Sequence, residues 1–339
     1  PELGLTEAES DASVTTGTRT LGQADHTGTI STGGNVTITN ATGLVQLLTN
    51  GGTVTLNDDF GTADNLTINV RAGGAVTGAV NGTGQLTVGP GGADTLTVRS
   101  STGIDLSNVS NLANIVDLDN DTSGNIVYQN NRDTLLVAAN DPAAGSITVT
   151  NNTGTLGTTG AITATNALAD VTLNSAGTIS INHPVTAGSN VNLISGDEIM
   201  VNNTVDATNA DLMINSSNAI ILDDDISAGD SVILNPTAGG MDQTAGTTIT
   251  ADDLLLLGAG TFQFAMSPND IGNLAANING DIPFLWDSLT LTIGTVNAVN
   301  GITTGGNDIF VYSNNQMTVS QDITVGAGAA SLGTVADGC

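Results

Sequence analysis

The 339-residue chain has no lysine, and its only arginines are Arg19, Arg71, Arg99 and Arg132. Thirty-three acidic residues oppose these four, giving a formal net charge of −29. Such a surface repels phosphate backbones and anionic headgroups, which removes nucleic acid from the candidate partners. No apolar run is long enough to cross a membrane, so membrane insertion is not expected either. Cysteine occurs once, at Cys339. That excludes an internal disulfide framework and any thiolate metal site, and leaves an intermolecular tether as its candidate role. Aromatic residues make up only 2% of the chain. Glutamate is confined to Glu2, Glu7, Glu9 and Glu198, so nearly all the acidity is aspartate, a residue suited to turns. Beginning at Pro1 with no secretory leader, the chain reads as a mature or excised segment.

What the chain does have is a repeat. An apolar position recurs at Val171, Val191, Leu212, Val232 and Leu254. A second series runs Ile179, Ile199, Ile220, Met241 and Phe262, and a third runs Val185, Val205, Ile226 and Ile249. Short alternating runs such as Val171-Thr172-Leu173 and Ile179-Ser180-Ile181 are separated by Gly, Asn and Asp. Three short strands in about 20 residues cannot enclose a core alone, but stacked on similar units they bury one face continuously. The pattern predicts an all-β fold, a right-handed parallel β-helix (solenoid) with about 20-residue coils. At about 4.8 Å per coil the rod would be very roughly 75 Å long. With 39% hydrophobic residues and a mean hydropathy of +0.14 the chain does not read as disordered.

Three regions follow. Residues 1–27 are polar, lack a strand period and read as an N-terminal tail or arm. Residues 28–149 read as irregular β-helix coils, with a short helix predicted near 43–50, where Leu44, Val45, Leu47 and Leu48 share a helical face. Residues 150–339 read as regular repeats, interrupted by an insertion at 265–288.

The runs Asn269 to Ala276, Leu289 to Gly294 and Asn300 to Gly306, with the units at 169–264, resemble the repeat regions of filamentous-haemagglutinin-like adhesins. The resemblance covers about half the chain. It implies a large, secreted bacterial surface protein with a β-helical shaft, located outside the cell or on its surface. Its implied partners are neighbouring copies of itself or host and cell-surface glycans. The family's secretion-domain signature is not seen.

Calcium is the candidate cofactor. Asp117, Asp119 and Asp121 alternate, so on an extended strand they project to one side, and carboxylate oxygens suit Ca²⁺. Gly89 to Thr97 departs from a calcium-binding nonapeptide at Pro90, and Asp223-Asp224-Asp225 forms an acidic turn. Six of the eight aromatics lie between Phe262 and Tyr312. Phe284 and Trp286 are the candidate ligand or partner contacts, as a platform for sugar rings. Alternatively, Phe262 and Phe310 fill the core while Phe284 and Trp286 pack an insertion against the shaft. Catalysis is not expected. Glycosidase chemistry needs paired acids across a groove, and adjacent pairs such as Asp58-Asp59 point to opposite faces of a strand. Neither His26 nor His183 has an evident partner, and none of Arg71, Arg99 and Arg132 stands beside a recognisable acidic motif.

The expected function is a non-catalytic extracellular structural or adhesive shaft. The alternatives are a filament or sheath subunit stacking end to end, and a polysaccharide-binding or polysaccharide-degrading β-helix protein.

Overall fold

The computed structural model describes residues 3–5, 17–38, 43–72, 80–89, 92–108, 110–140, 145–264, 268–305 and 308–334. The chain forms two compact units, Pro1–Ala176 and Gly177–Cys339. Each is a β-solenoid of short strands stacked in parallel, and no helix occurs among the described residues. Cys339 lies outside the described residues, as do Pro90 and Gly91.

In the second unit the columns run as the sequence spacing predicts. Val191, Leu212, Val232, Leu254 and Leu274 are successive register partners. Ile179, Ile199, Ile220, Met241 and Phe262 form a second column. Val185, Val205, Ile226 and Ile249 form the third. All of these side chains are buried. Burying each aliphatic side chain contributes about 1.5–3 kcal/mol against chain entropy. Side-chain hydroxyls satisfy the carbonyls at the corners. The single Ser195 Oγ proton is shared between Gly177 O at 2.8 Å and Glu198 O at 3.1 Å, and Ser216 Oγ repeats this between Asp197 O and Ala219 O. At Gly258 φ is +93° and a Cβ would lie 1.9 Å from Pro236 O, so only glycine fits.

The first unit has the same interior with uneven turns. Ile30, Val54, Val80, Ile104, Ile126, Ile147 and Val171 form one column. The steps range from 21 residues (126 to 147) to 26 (54 to 80). Leu47, Ile68, Val98, Leu118, Ala138 and Ile162 form another. Buried Asn130 fills a corner, donating from Nδ2 to Ala113 O at 2.7 Å and accepting at Oδ1 from the Ala113 N–H at 3.0 Å.

Three expectations require correction. The helix near 43–50 is the strand Leu44–Leu48, with Val45 and Leu47 inside and their neighbours outward. The run Leu-Val-Gln-Leu-Leu fits both periods, and parallel pairing with Arg19–Gly22 on one side and Asn65–Asn69 on the other settles it as strand. The polar segment 1–27 contains two strands. Leu3–Leu5 pairs with Ile30–Thr32, and Arg19–Gly22 pairs with Leu44–Leu48, Arg19 taking the column position above Val45. With Arg19 opposite Val45 and only Leu21, opposite Leu47, as an aliphatic, that rung carries too little hydrophobic signal to show a strand period.

The third correction concerns 265–288, whose described residues form a regular coil rather than an insertion. Asp270–Asn279 stacks on Ile249–Ala259, and Leu274 and Ile282 each fall 20 residues after the previous buried position, Leu254 and Phe262. Ala275, Ala276 and Pro283 disguised it. The real excursion comes later, at the antiparallel hairpin Thr295–Val296 with Val299–Asn300. Its two-residue turn has φ +46° at Asn297 and +66° at Ala298, the type I′ signature. Val296 packs on Leu255 and Ala275, outside the solenoid interior, beside Ile233 and Leu257.

Candidate functional site

Two outward-facing constellations stand out, one in each unit. In the first unit, the strand Ile115–Asn120 buries Val116 and Leu118 and turns Asp117 and Asp119 outward. Asp121 follows just past its end. The neighbouring strand Thr95–Ser100 places Arg99 as the register partner of Asp119. Arg99 Nη1 and Nη2 bond both oxygens of Asp117, at 3.0 and 2.5 Å, while its Nε lies 3.8 Å from Asp119. Arg71, one coil further back, donates Nη2 to Asp119 Oδ2 and Nη1 to Asp121 Oδ2, each at 2.6 Å. Two guanidinium groups thus thread three carboxylates into an ion-pair ladder across three coils.

Burial alone would lower the Arg71 pKa, but its bonds to Asp119 and Asp121 outweigh that and raise it. For Asp121, burial pushes the carboxyl up, while the Arg71 and Thr122 hydrogen bonds and the Arg71 charge carry it below its ordinary value. The spacing proposed for calcium therefore does place the three aspartates on one side, where they meet arginines instead. A calcium ion needs six to eight oxygens converging on one point, and these carboxylates do not provide them. No group of three or more His, Cys, Asp or Glu side chains placed to hold a metal occurs among the described residues. The Asp223–Asp225 turn is occupied locally: Asp223 accepts from the Thr244 hydroxyl, Asp224 from Asp225 N and Asp225 from Thr248 N.

The second constellation is aromatic. Strand Ile282–Asp287 buries Ile282 and Leu285 and turns Phe284 and Trp286 outward, and strand Ile309–Ser313 buries Ile309 and Val311 and turns Phe310 and Tyr312 outward. All four rings are half-buried. The two strands are neighbours, with Trp286 the register partner of Tyr312. The register slips between Ile282 and Leu285, so Pro283 and Phe284 together face Phe310. Such a bulge re-aims a side chain. Here the Phe284 ring stacks on Tyr312, centroids 5.7 Å apart and planes 30° from parallel. Across the next strand, Tyr312 lies over Gly333, where a Cβ would come within 3.0 Å of its ring. The Trp286 indole N–H donates to Asn314 Oδ1 at 2.7 Å, which fixes its plane.

Phe262 is buried in the core as expected, and Phe264 with it, but Phe310 is not a core residue. Phe310 alternates with Ile309 and Val311, and the two aliphatics take the inward positions. Sequence reasoning found Phe284 and Trp286, and missed that Phe310 and Tyr312 complete their surface. Spacing holds the clue, since Trp286 and Tyr312 stand one coil apart once the hairpin is counted. Beneath the strip lies Asp287, fully buried. Ile271 N donates to its Oδ1 at 2.9 Å and Leu289 N to its Oδ2 at 3.0 Å. Burial raises its pKa more than these donors lower it.

The arginine ladder neutralises charge internally and leaves little for a ligand to meet. The aromatic strip offers flat, half-exposed rings on the outside of the solenoid, and it is the candidate site. No family model, no curated protein and no solved structure matches the chain.

Proposed function

We propose that this chain is a non-catalytic extracellular β-helical segment of a bacterial surface protein, structural in body and adhesive at its aromatic strip. The observation that carries this reading is the placement of Phe284, Trp286, Phe310 and Tyr312 together on one outer face. The outward positions of other strands in the same unit are mostly Asn, Asp, Ser and Thr, as in the Thr186–Asp206, Asn215–Asn235 and Asp206–Ser227 pairs, with aliphatic or Met pairs at Met200–Ile221 and Met213–Ile233 but no aromatic ring. An outer aromatic face contributes nothing to the interior columns, which points to contact with something else. The resemblance of the repeats to filamentous-haemagglutinin-like adhesins supports the same reading, as does an acidic, lysine-free surface suited to an exposed protein.

The test is retention of beads coated with the whole chain on bacterial and host cell surfaces. Retention should fall to the level of bare beads in the Phe284→Ala/Tyr312→Ala variant, with far-ultraviolet circular dichroism unchanged. Equal retention by both proteins, or none by either, refutes the adhesive role.

A further inference from the structure

Resting on the adhesive reading, we infer that the strip formed by Phe284, Trp286, Phe310 and Tyr312 binds a neutral, ribbon-like glycan, a β-linked pyranose chain carrying no sulfate or carboxylate. The first argument is shape. Phe284 and Tyr312 form a stacked pair, centroids 5.7 Å apart and planes 30° from parallel, on the outward face of two neighbouring strands, with Gly333, which has no side chain, under the Tyr312 ring. Equatorially substituted pyranoses carry their C–H bonds on flat faces, which pack on aromatic rings, and their hydroxyls around the rim.

Second, the rim of the strip is polar. Gln263 is the register partner of Phe284 on the preceding coil, and Ser331 is the partner of Phe310 on the following one. Third, the rings are held in advance: Asn314 fixes the indole plane, and Tyr312 is fixed by Phe284 and by the 3.3 Å contact between its hydroxyl and Ser331 Oγ. Ring orientation therefore need not be ordered on binding.

Charge then narrows the ligand. Residues 177–339 contain no lysine or arginine, while aspartates recur throughout. Sulfated, sialylated and phosphorylated chains meet only repulsion on this unit. The same argument disfavours a second copy of the chain as occupant, since its corresponding surface carries the same sign.

Trp286 is the only tryptophan in the chain, so intrinsic fluorescence reads the strip directly. The whole chain is titrated with cellohexaose and with fully N-acetylated chitohexaose, with heparin as the polyanionic control. A saturable shift in emission is expected with at least one neutral probe and none with heparin at physiological salt. Phe284→Ala should weaken binding roughly tenfold, as should Tyr312→Ala. Emission unmoved by both neutral probes up to about 10 mM overturns the inference. So does a heparin response equal to theirs.

The bead assay separates this from the adhesive reading. Strip-dependent retention without oligosaccharide binding leaves an adhesive strip with a different ligand. Oligosaccharide binding without retention supports the ligand and removes the adhesive role.

Discussion

Replacing Arg71 by Met keeps most of the apolar stem and removes the charge, so it isolates the ion-pair ladder of the first unit. Two guanidinium bonds at 2.6 Å are lost, to Asp119 and Asp121. Hydrogen bonds to charged groups contribute about 1.5–3 kcal/mol each when sheltered, and exposed ion pairs about 0.2–1 kcal/mol. The Arg71 side chain is 17% exposed and the two carboxylates 33% and 35%, which places the pair nearer the exposed limit. Asp119 keeps Arg99 at 3.8 Å. The expected loss at neutral pH is therefore about 1–2 kcal/mol.

Hydrogen exchange is the suitable assay, because stability in a solenoid is local and nearest-neighbour in character. Amides of Thr95–Ser100 and Ile115–Asn120 should exchange about 5–30 times faster in the variant, and those near Ile220 at the wild-type rate. The pH dependence follows from Asp121, whose folded pKa lies below its ordinary value of 3.8. The native state then binds fewer protons than the unfolded one, so this contribution is complete above pH 3.8 and disappears as pH falls through the folded value. The difference between variant and wild type should shrink in the same window. Unchanged exchange at neutral pH would refute the reasoning, as would a difference that persists fully once Asp121 is protonated.

Other perturbations test other parts of the structure. Ile220→Ala opens a cavity in a fully buried column and should cost about 2–5 kcal/mol, read as faster exchange at Ile199–Val201 and Met241–Gln243. Gly258→Ala must move the Pro236 carbonyl or abandon φ +93°, and should lower thermal stability by about 1–3 kcal/mol. Ala298→Gly relieves a left-handed alanine in the hairpin turn and should raise stability by about 1 kcal/mol, checked by thermal melting. Asp287 has the opposite sign to Asp121. Its folded pKa is raised, so the native state binds the extra proton and stability falls as pH rises from 3.8 through the folded value. Asp287→Asn should flatten that slope in urea denaturation measured across the same pH range.

The interior of this molecule was legible because its requirement repeats. Each column position must be apolar at every coil, so Val191, Leu212, Val232 and Leu254 announce themselves by spacing alone. Legibility faded where one coil met the requirement by unusual means. Arg19 stands in a column, Ala276 replaces a larger residue, and coils of the first unit vary from 20 residues (Val98 to Leu118) to 30 (Ile68 to Val98). The short run Leu44–Leu48 failed for a different reason, since five residues fit two periods and only tertiary pairing decides between them.

The outer face was less legible, because nothing in the fold compels an outward residue to repeat. Arg71 lies 48 residues from Asp119 and 50 from Asp121, a separation that carries no meaning until coil lengths are known. Phe310 and Tyr312 joined Phe284 and Trp286 only through the register of two strands, a bulge and an intervening hairpin. This difference in constraint gives the outward residues their value as functional evidence. An inward leucine is explained fully by the column it fills. Four outward rings held by a bulge, an amide and a glycine are not explained by any column, so their reason lies in what the surface meets.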